Sequence, residues 1–420
     1  MARSGLVPWW PGAASSCPPR MAGGAIAAVA AALPAARMRR RRHNAAASAC
    51  GGRQVVASVA LAAVQEVEAP STAVVSPEKV DYVKSLFTDV LEVNVPQKLE
   101  VFLAVLQASG FTLLGRDEWR KLGGDLHPFL MPLAYTGEGA DVEVIGLMVR
   151  TPNGGPLRPE EYQVVSQRLV TSLQVVFRAF DMEKYMIKRA EEAAFRKEKQ
   201  DKPLIEATKD LYEVRFSGKD QTALDKWLLL EVGAFPDVYK NLAMEHIKKG
   251  DPQSGLIVAD TMRDVFGFQW GFPHAFCCKV LRDHFDGRGK LENRDVEADH
   301  CAERCFKTGY PLWTLDPGTS LQDLLCEAKM HRIGDLDTLR VFYLQRAADD
   351  QRAAVRTGSM SLGCATLAKC QALMDAVVCG HKSYNGVRKE LRDLYEEIPG
   401  CDPVMQMIDY FSSDAAPAAA

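Results

Sequence analysis

Residues 241–262, "NLAMEHIKKGDPQSGLIVADTM", decide the architecture. The stretch reads as helix, tight turn, helix. Leu242 and Ile247 belong to a core face, and Ala243 is a small side chain where a neighbouring helix can come close. Gly250, Asp251 and Pro252 break the helix: glycine tolerates a left-handed terminus, and proline pre-sets the first turn of the next helix. In "QSGLIVADTMRDVF", Gly255 and Ala259 supply the small positions of the second helix.

A related pair follows. "HAFCCKVLRDHFDGRGK" and "DVEADHCAERCFKTGYPLW" form a second helix–turn–helix, with Phe276–Cys277 34 residues after Leu242–Ala243 and a turn five residues longer. Over about residues 225–315 this pattern resembles a degenerate tetratricopeptide repeat, without that family's signature Trp and Tyr. The resemblance implies an α-solenoid, in which each unit buries its core against its neighbours and a concave face receives protein segments. "SLQDLLCEAKM", "GDLDTLRVFYLQRAADDQRAAV", "LGCATLAKCQALMDAVVCG" and "SYNGVRKELRDLYEEI" would continue it, giving a helical domain over 221–412 before a polar, Ala-rich tail at 413–420.

Upstream the pattern changes. "SPEKVDYVKSLFTDVL" starts a helix at Ser76–Pro77, and "VPQKLEVFLAVLQAS" places Leu99, Phe102, Leu103 and Leu106 on one helical face before Gly110. "HPFLMPLAYT" and "VEVIGLMVRT", joined by "GEGAD", read as a β-hairpin. "LRPEEYQVVSQRLVTSLQVVFRAF" reads as one long helix, with Pro159 in its first turn and Val164, Leu169, Leu173 and Phe177 as its stripe. Residues 77–182 thus form a small α+β domain. Residues 183–220, rich in both charge signs, are a solvated helix and connector laced with Glu–Lys pairs. The fold class expected is mainly α, with a small α+β N-terminal domain ahead of a solenoid-like one.

Charge is divided unevenly. Residues 1–65 hold eight arginines, no lysine and no acid; the first acidic residue is Glu66. An Arg- and Ala-rich, acid-free leader is the composition of an organelle transit peptide. Its Ala/Ser/Val style favours the chloroplast stroma over the mitochondrion, and 66–76 is a linker. Without the leader, 43 basic residues face 54 acidic ones, a balance of −11. Such a body is repelled by a phosphate backbone, which argues against nucleic acid. The alternative, an RNA-contacting arm over 183–220, would use Lys188, Arg189, Arg196 and Lys197.

Of eleven cysteines, nine lie beyond the leader, at irregular spacing that is no disulfide framework. His274, Cys277, Cys278, His284, His300, Cys301 and Cys305 are the one metal-ligand candidate, with His274, Cys277, Cys301 and Cys305 as its core. No CxxC pair is present, so buried thiols are the simpler reading. "FDGRGKLE" lacks the preceding strand and the spacing of a phosphate-binding loop. In "GFQWGFPHAF", Trp270 and Phe272 are candidate aromatic anchors for a partner. No nucleophile-elbow, Walker, Rossmann or metalloprotease pattern occurs. The function expected is therefore non-catalytic and cofactor-free: binding other plastid proteins as a scaffold or assembly factor. The alternative is a metal-binding or catalytic role for the His/Cys cluster.

Overall fold

The chain divides into two units, Met1–Glu66 and Val67–Ala420. A computed structural model of the protein describes residues 76–307 and 366–412, apart from residues 117, 122–125, 150–158, 170–174, 268–269, 286, 288–292 and scattered positions between 367 and 401. The segment read as a transit peptide, the expected linker up to residue 75, the helices expected between 308 and 365, most of the "FDGRGKLE" turn and the C-terminal tail lie outside the described residues. What is described is mainly helical, twelve α-helices with one five-stranded antiparallel sheet.

Helix α1 (Pro77–Ser85) runs into a π turn, Leu86–Val90. Ser76 caps it through its carbonyl, which accepts from the Lys79 and Val80 N–H groups; its hydroxyl makes no cap bond. Helix α2 (Leu99–Ala108) buries Leu99, Phe102, Leu103 and Leu106, the face read from the sequence. It ends at Gly110, whose φ of 88° lies in the left-handed region.

The sheet is a meander in the order β1 (Thr112–Leu113), β2 (Leu130–Thr136), β3 (Glu143–Met148), β4 (Gln163–Arg168), β5 (Val175–Ala179). A short helix, α3 (Glu118–Lys121), lies between β1 and β2. The expected hairpin is β2–β3, pairing Leu130 with Met148 and Thr136 with Glu143. Pro132 cannot donate to a ladder, and the β2 register shifts between Pro132 and Ala134. Gly146, opposite it, sits where an added Cβ would lie 2.0 Å from the Met131 carbonyl oxygen, so only glycine fits.

The long helix expected across 157–180 is not formed. Its span contains β4 and β5, which pair Val165 with Phe177 and Gln167 with Val175. The β-branched doublets Val164–Val165 and Val175–Val176 suit a pleated, buried surface better than a helix, where their branched Cβ atoms crowd the preceding turn. Val164 and Phe177 are buried as expected, but in strands, and Leu169 is buried just past β4; Leu173 lies outside the described residues. Most sheet residues on both faces are buried, so the sheet is covered on both sides.

Helix α4 (Met182–Arg196) begins at Asp181, whose carboxylate accepts from the Lys184 N–H, and ends at left-handed Lys197. It is not the solvated face expected. It packs on α2, β5 and α5 (Lys202–Thr208) and buries Lys188 and Glu191. Helix α6 (Gln221–Trp227) leads through a π turn (Leu228–Val232) into α7 (Pro236–Lys248), α8 (Pro252–Phe266), α9 (Phe272–His284) and α10 (Asp295–Lys307). Consecutive members of the α7–α10 run pack on one another. Helices α11 (Tyr384–Glu396) and α12 (Asp402–Ser412) close the described chain and return to its beginning. Phe411 meets Trp119 edge-on, Tyr395 meets Phe129, and the Arg388 guanidinium donates to the Leu126 carbonyl at 2.7 Å. Among the described residues the main apolar core runs from Tyr82 to Phe411, and a small second cluster joins Ala190 and Ala193 of α4 to Leu204 of α5.

Candidate functional site

The helical run α7–α10 holds the turn and the His, Cys and aromatic residues singled out from the sequence. Its first turn is built as the sequence implies. Gly250 has a φ of 82°, the Asp251 carboxylate accepts from the Ser254 N–H at 3.1 Å, and Pro252 opens α8. A Cβ on Gly255 would lie 2.7 Å from Ile247 Cγ1 and 3.0 Å from the Ala243 carbonyl oxygen. The small residues thus set how closely α7 and α8 approach. Leu242, Ala243 and Ala259 are buried, and Ile247 packs at the edge of the core.

The aromatic run joins this region to the sheet. Trp270 is 0 % exposed and lies 5.5 Å edge-on from Phe177 of β5, which also meets Phe266 of α8. Phe272 is buried too and stacks on Phe276. Both rings, expected as exposed anchors for a partner, are spent inside this chain's own core. Exposed apolar side chains on the run are instead Ile257 of α8 and Val296 of α10.

The His/Cys candidates are distributed over α9 and α10. His284 is half-buried and His300 exposed, while His274, Cys277, Cys278, Cys301 and Cys305 are buried. Among the described residues no group of three or more His, Cys, Asp or Glu is arranged to hold a metal ion. The partners are of another kind. The His274 Nε2–H donates to the Gly267 carbonyl at 2.8 Å, while Nδ1 has no hydrogen-bond partner. Burial lowers His274 to about 4, so the ring is neutral near pH 7. Gly267 has to be small, because a Cβ there would lie 2.8 Å from that ring nitrogen. The Cys277 thiol donates to Asp260 at 3.7 Å, and the Arg263 guanidinium donates to Cys301 Sγ at 3.5 Å. Burial pushes the Cys277, Cys301 and Cys305 thiols up, and Cys278 to about 12. All of them are free thiols in the described structure. Protonated, enclosed thiols are poor nucleophiles and behave as small apolar side chains.

Three of the four cations weighed as an RNA arm are engaged by carboxylates. Lys188 is buried between Asp237 of α7 and Glu192, 3.6 Å away, with its ammonium 5.0 Å from the centre of the Phe235 ring. Burial alone would lower its pKa, yet the two carboxylates leave it raised. Arg189 pairs with Glu192 at 3.4 Å, and Arg196 with Asp201 at 2.9 Å. Lys197 is exposed at the helix end.

Two features of the structure had no counterpart in the sequence reading. Glu191 of α4 is 0 % exposed and accepts from the Tyr212 hydroxyl at 2.6 Å and from the Arg215 and Phe216 N–H groups at 2.8 and 3.2 Å. It anchors the extended segment that leads into α6. A groove of about 750 Å³ is lined by the loop Glu92–Lys98 together with Pro159, Glu160, Asp181, Met182 and Glu183. Lys98 pairs with Glu183 across it at 2.5 Å. The residues of that groove are spread from Glu92 to Glu183, and nothing local in any of its three segments announces the others.

Comparison with known proteins adds two findings. The family described as the PAB middle domain matches residues 236–330, starting at the first residue of α7 and continuing past α10. The chain is also similar to "Protein IN CHLOROPLAST ATPASE BIOGENESIS, chloroplastic" of Arabidopsis thaliana, 27 % identical over 235 residues. That similarity takes in 55 % of this chain and 64 % of the relative, so the chain spans less than two thirds of the relative's length. No solved structure matches the chain.

Proposed function

We propose that this protein is a chloroplast assembly factor that acts in the biogenesis of an ATPase by binding other proteins through α7–α10. The observation that carries the reading is the coincidence of the PAB middle domain match with that helical run. The name of the Arabidopsis relative supplies the process and the compartment. The acid-free, Arg-rich leader agrees with import into the stroma. No described helix is long and apolar enough to cross a membrane.

In this reading the hairpins α7–α8 and α9–α10 are two stacked, repeat-like units. Sequential packing of each helix on the next, with small residues at the crossing, is what such a stack requires. The work is non-catalytic. The thiols and His274 are enclosed and serve the packing of α9 against α8 and α10, and the exposed apolar side chains left to a partner are Ile257 and Val296.

Plant cells lacking the protein test this directly. Chloroplast ATPase should fall severalfold while other large plastid complexes persist, and the wild-type chain should restore it. Unchanged ATPase levels would overturn the proposal. Re-expression of the double variant Ile257→Glu/Val296→Glu separates the contact face from the fold, since both side chains are exposed.

A further inference from the structure

Helices α4, α6 and α7 meet over a cluster of charges that does not balance. Lys188 brings one ammonium, and it is already shared by two carboxylates, Asp237 of α7 and Glu192 of α4. A third carboxylate, Asp225 of α6, is only 3 % exposed, and its Oδ1 accepts a neutral amide hydrogen bond from Gln221 Nε2 at 2.7 Å. The other cations in range are committed. Arg189 of α4 pairs with Glu192, and Arg178 of β5 pairs with Glu143 at 2.7 Å. A buried carboxylate raised by the like charges of Asp237 and Glu192, with the Lys188 ammonium already shared by those two, is relieved most simply by holding a proton.

We propose that Asp225 is the proton-operated latch of this joint: protonated, it lets α6 and the start of α7 close on α4; ionised, it loosens them. The elements concerned are the ones through which α7–α10 attach to α4. Lys184 of α4 also lies against Gly233, and Lys188 against Phe235, in the segment just before α7. Burial, reinforced by Asp237 and Glu192 and opposed by Gln221 and Lys188, pushes Asp225 up to about 6. The change of state therefore falls within reach of ordinary pH variation.

The sign is fixed. The folded pKa lies above that of the unfolded chain, near 4. Between those two values the native state holds a proton that the unfolded state has lost, so the joint weakens as pH rises from about 4 to about 6 and stays weakened above.

The test uses the full chain labelled with ¹³C at aspartate Cγ. The Asp225 resonance is identified by its absence in Asp225→Asn and followed against pH, with amide exchange of residues 221–240 measured in parallel. The expected midpoint is about 6, with exchange of that segment, corrected for intrinsic rate, rising about tenfold between about pH 5 and pH 7.5. Asp225→Asn should stay protected at both ends. Gln221→Leu, at an exposed position, should raise the midpoint further and serves if Asp225→Asn does not fold. A midpoint below about 4.5, or protection in the wild-type chain that does not change with pH, would overturn the proposal. So would loss of protection by Asp225→Asn equal to that of the wild type.

Discussion

The sheet half of the molecule and the run α7–α10 are held together by different chemistry. Around the sheet and α4, single polar side chains act as hubs. Glu191 takes three donors, Gln167 takes the His127 N–H at 2.9 Å, and Arg178 joins Ser166 to Glu143. Along α7–α10 the order comes from small residues that admit a neighbouring helix, from aromatic contacts, and from thiols used as apolar filler. A hub concentrates stability in one atom group, and removing it strands buried partners at a penalty for each. Packed helices spread the same stability over many small contacts, so the cost of a change follows the volume it adds or removes. The contrast agrees with roles in which the sheet half stays fixed while the helical run presents a surface.

The largest expected effect treats both halves alike and so sets a baseline. His127, in the sheet half, is lowered to about 3 by burial and the nearby Arg388, and His274, in the helical run, to about 4. A neutral buried histidine confers stability that is complete above the unfolded value of about 6.5 and is lost as pH falls towards the folded value. Between about pH 6.5 and pH 3 the His127 contribution should fall by about 4–5 kcal/mol, and that of His274 by about 3 kcal/mol. Urea unfolding at a series of pH values measures both, and His127→Gln should flatten the acid limb more than His274→Gln.

The comparison itself is sharpened by single changes. Trp270→Ala should cost about 3–5 kcal/mol, because it empties the contact between the segment joining α8 to α9 and Phe177 of β5. Glu191→Ala should cost about 3 kcal/mol, and Glu191→Gln less, since its one amide oxygen, in the place of Oε1, still accepts from the Tyr212 hydroxyl and the Arg215 N–H and only the Phe216 N–H loses its acceptor. If the two Glu191 variants cost the same, the hub description fails. In the helical run, Gly255→Val should cost about 2 kcal/mol by forcing α7 from α8, and Gly250→Ala about 1 kcal/mol through backbone conformation alone, as no atom lies within 4 Å of the added Cβ. Thermal melting of the five variants orders them.

The helical run was legible because its punctuation is local. Gly250, Asp251 and Pro252 mark one turn within three residues, and the small positions flank it. The β2–β3 hairpin was legible for the same reason. Strands β4 and β5 were missed because Val164, Leu169 and Phe177 satisfy a helical stripe as well as a buried sheet; the β-branched doublets were the better signal. Trp270 and Phe272 show that an aromatic run carries no mark of exposure, since the same rings can face a partner or, as here, the core. Lys188 and Glu191 show the matching limit for charge. Apart from Glu192, one helical turn from Lys188, their partners lie 21 to 49 residues away, and Glu191 is satisfied mainly by backbone N–H groups that no sequence pattern reveals.

The most direct test of the central claim is to purify the tagged protein from isolated chloroplasts and identify by mass spectrometry what accompanies it. The account predicts ATPase subunits in defined stoichiometry with the wild-type chain and their loss with Ile257→Glu/Val296→Glu. Recovery of the wild-type chain alone and monomeric, in chloroplasts that are actively making ATPase, would contradict it.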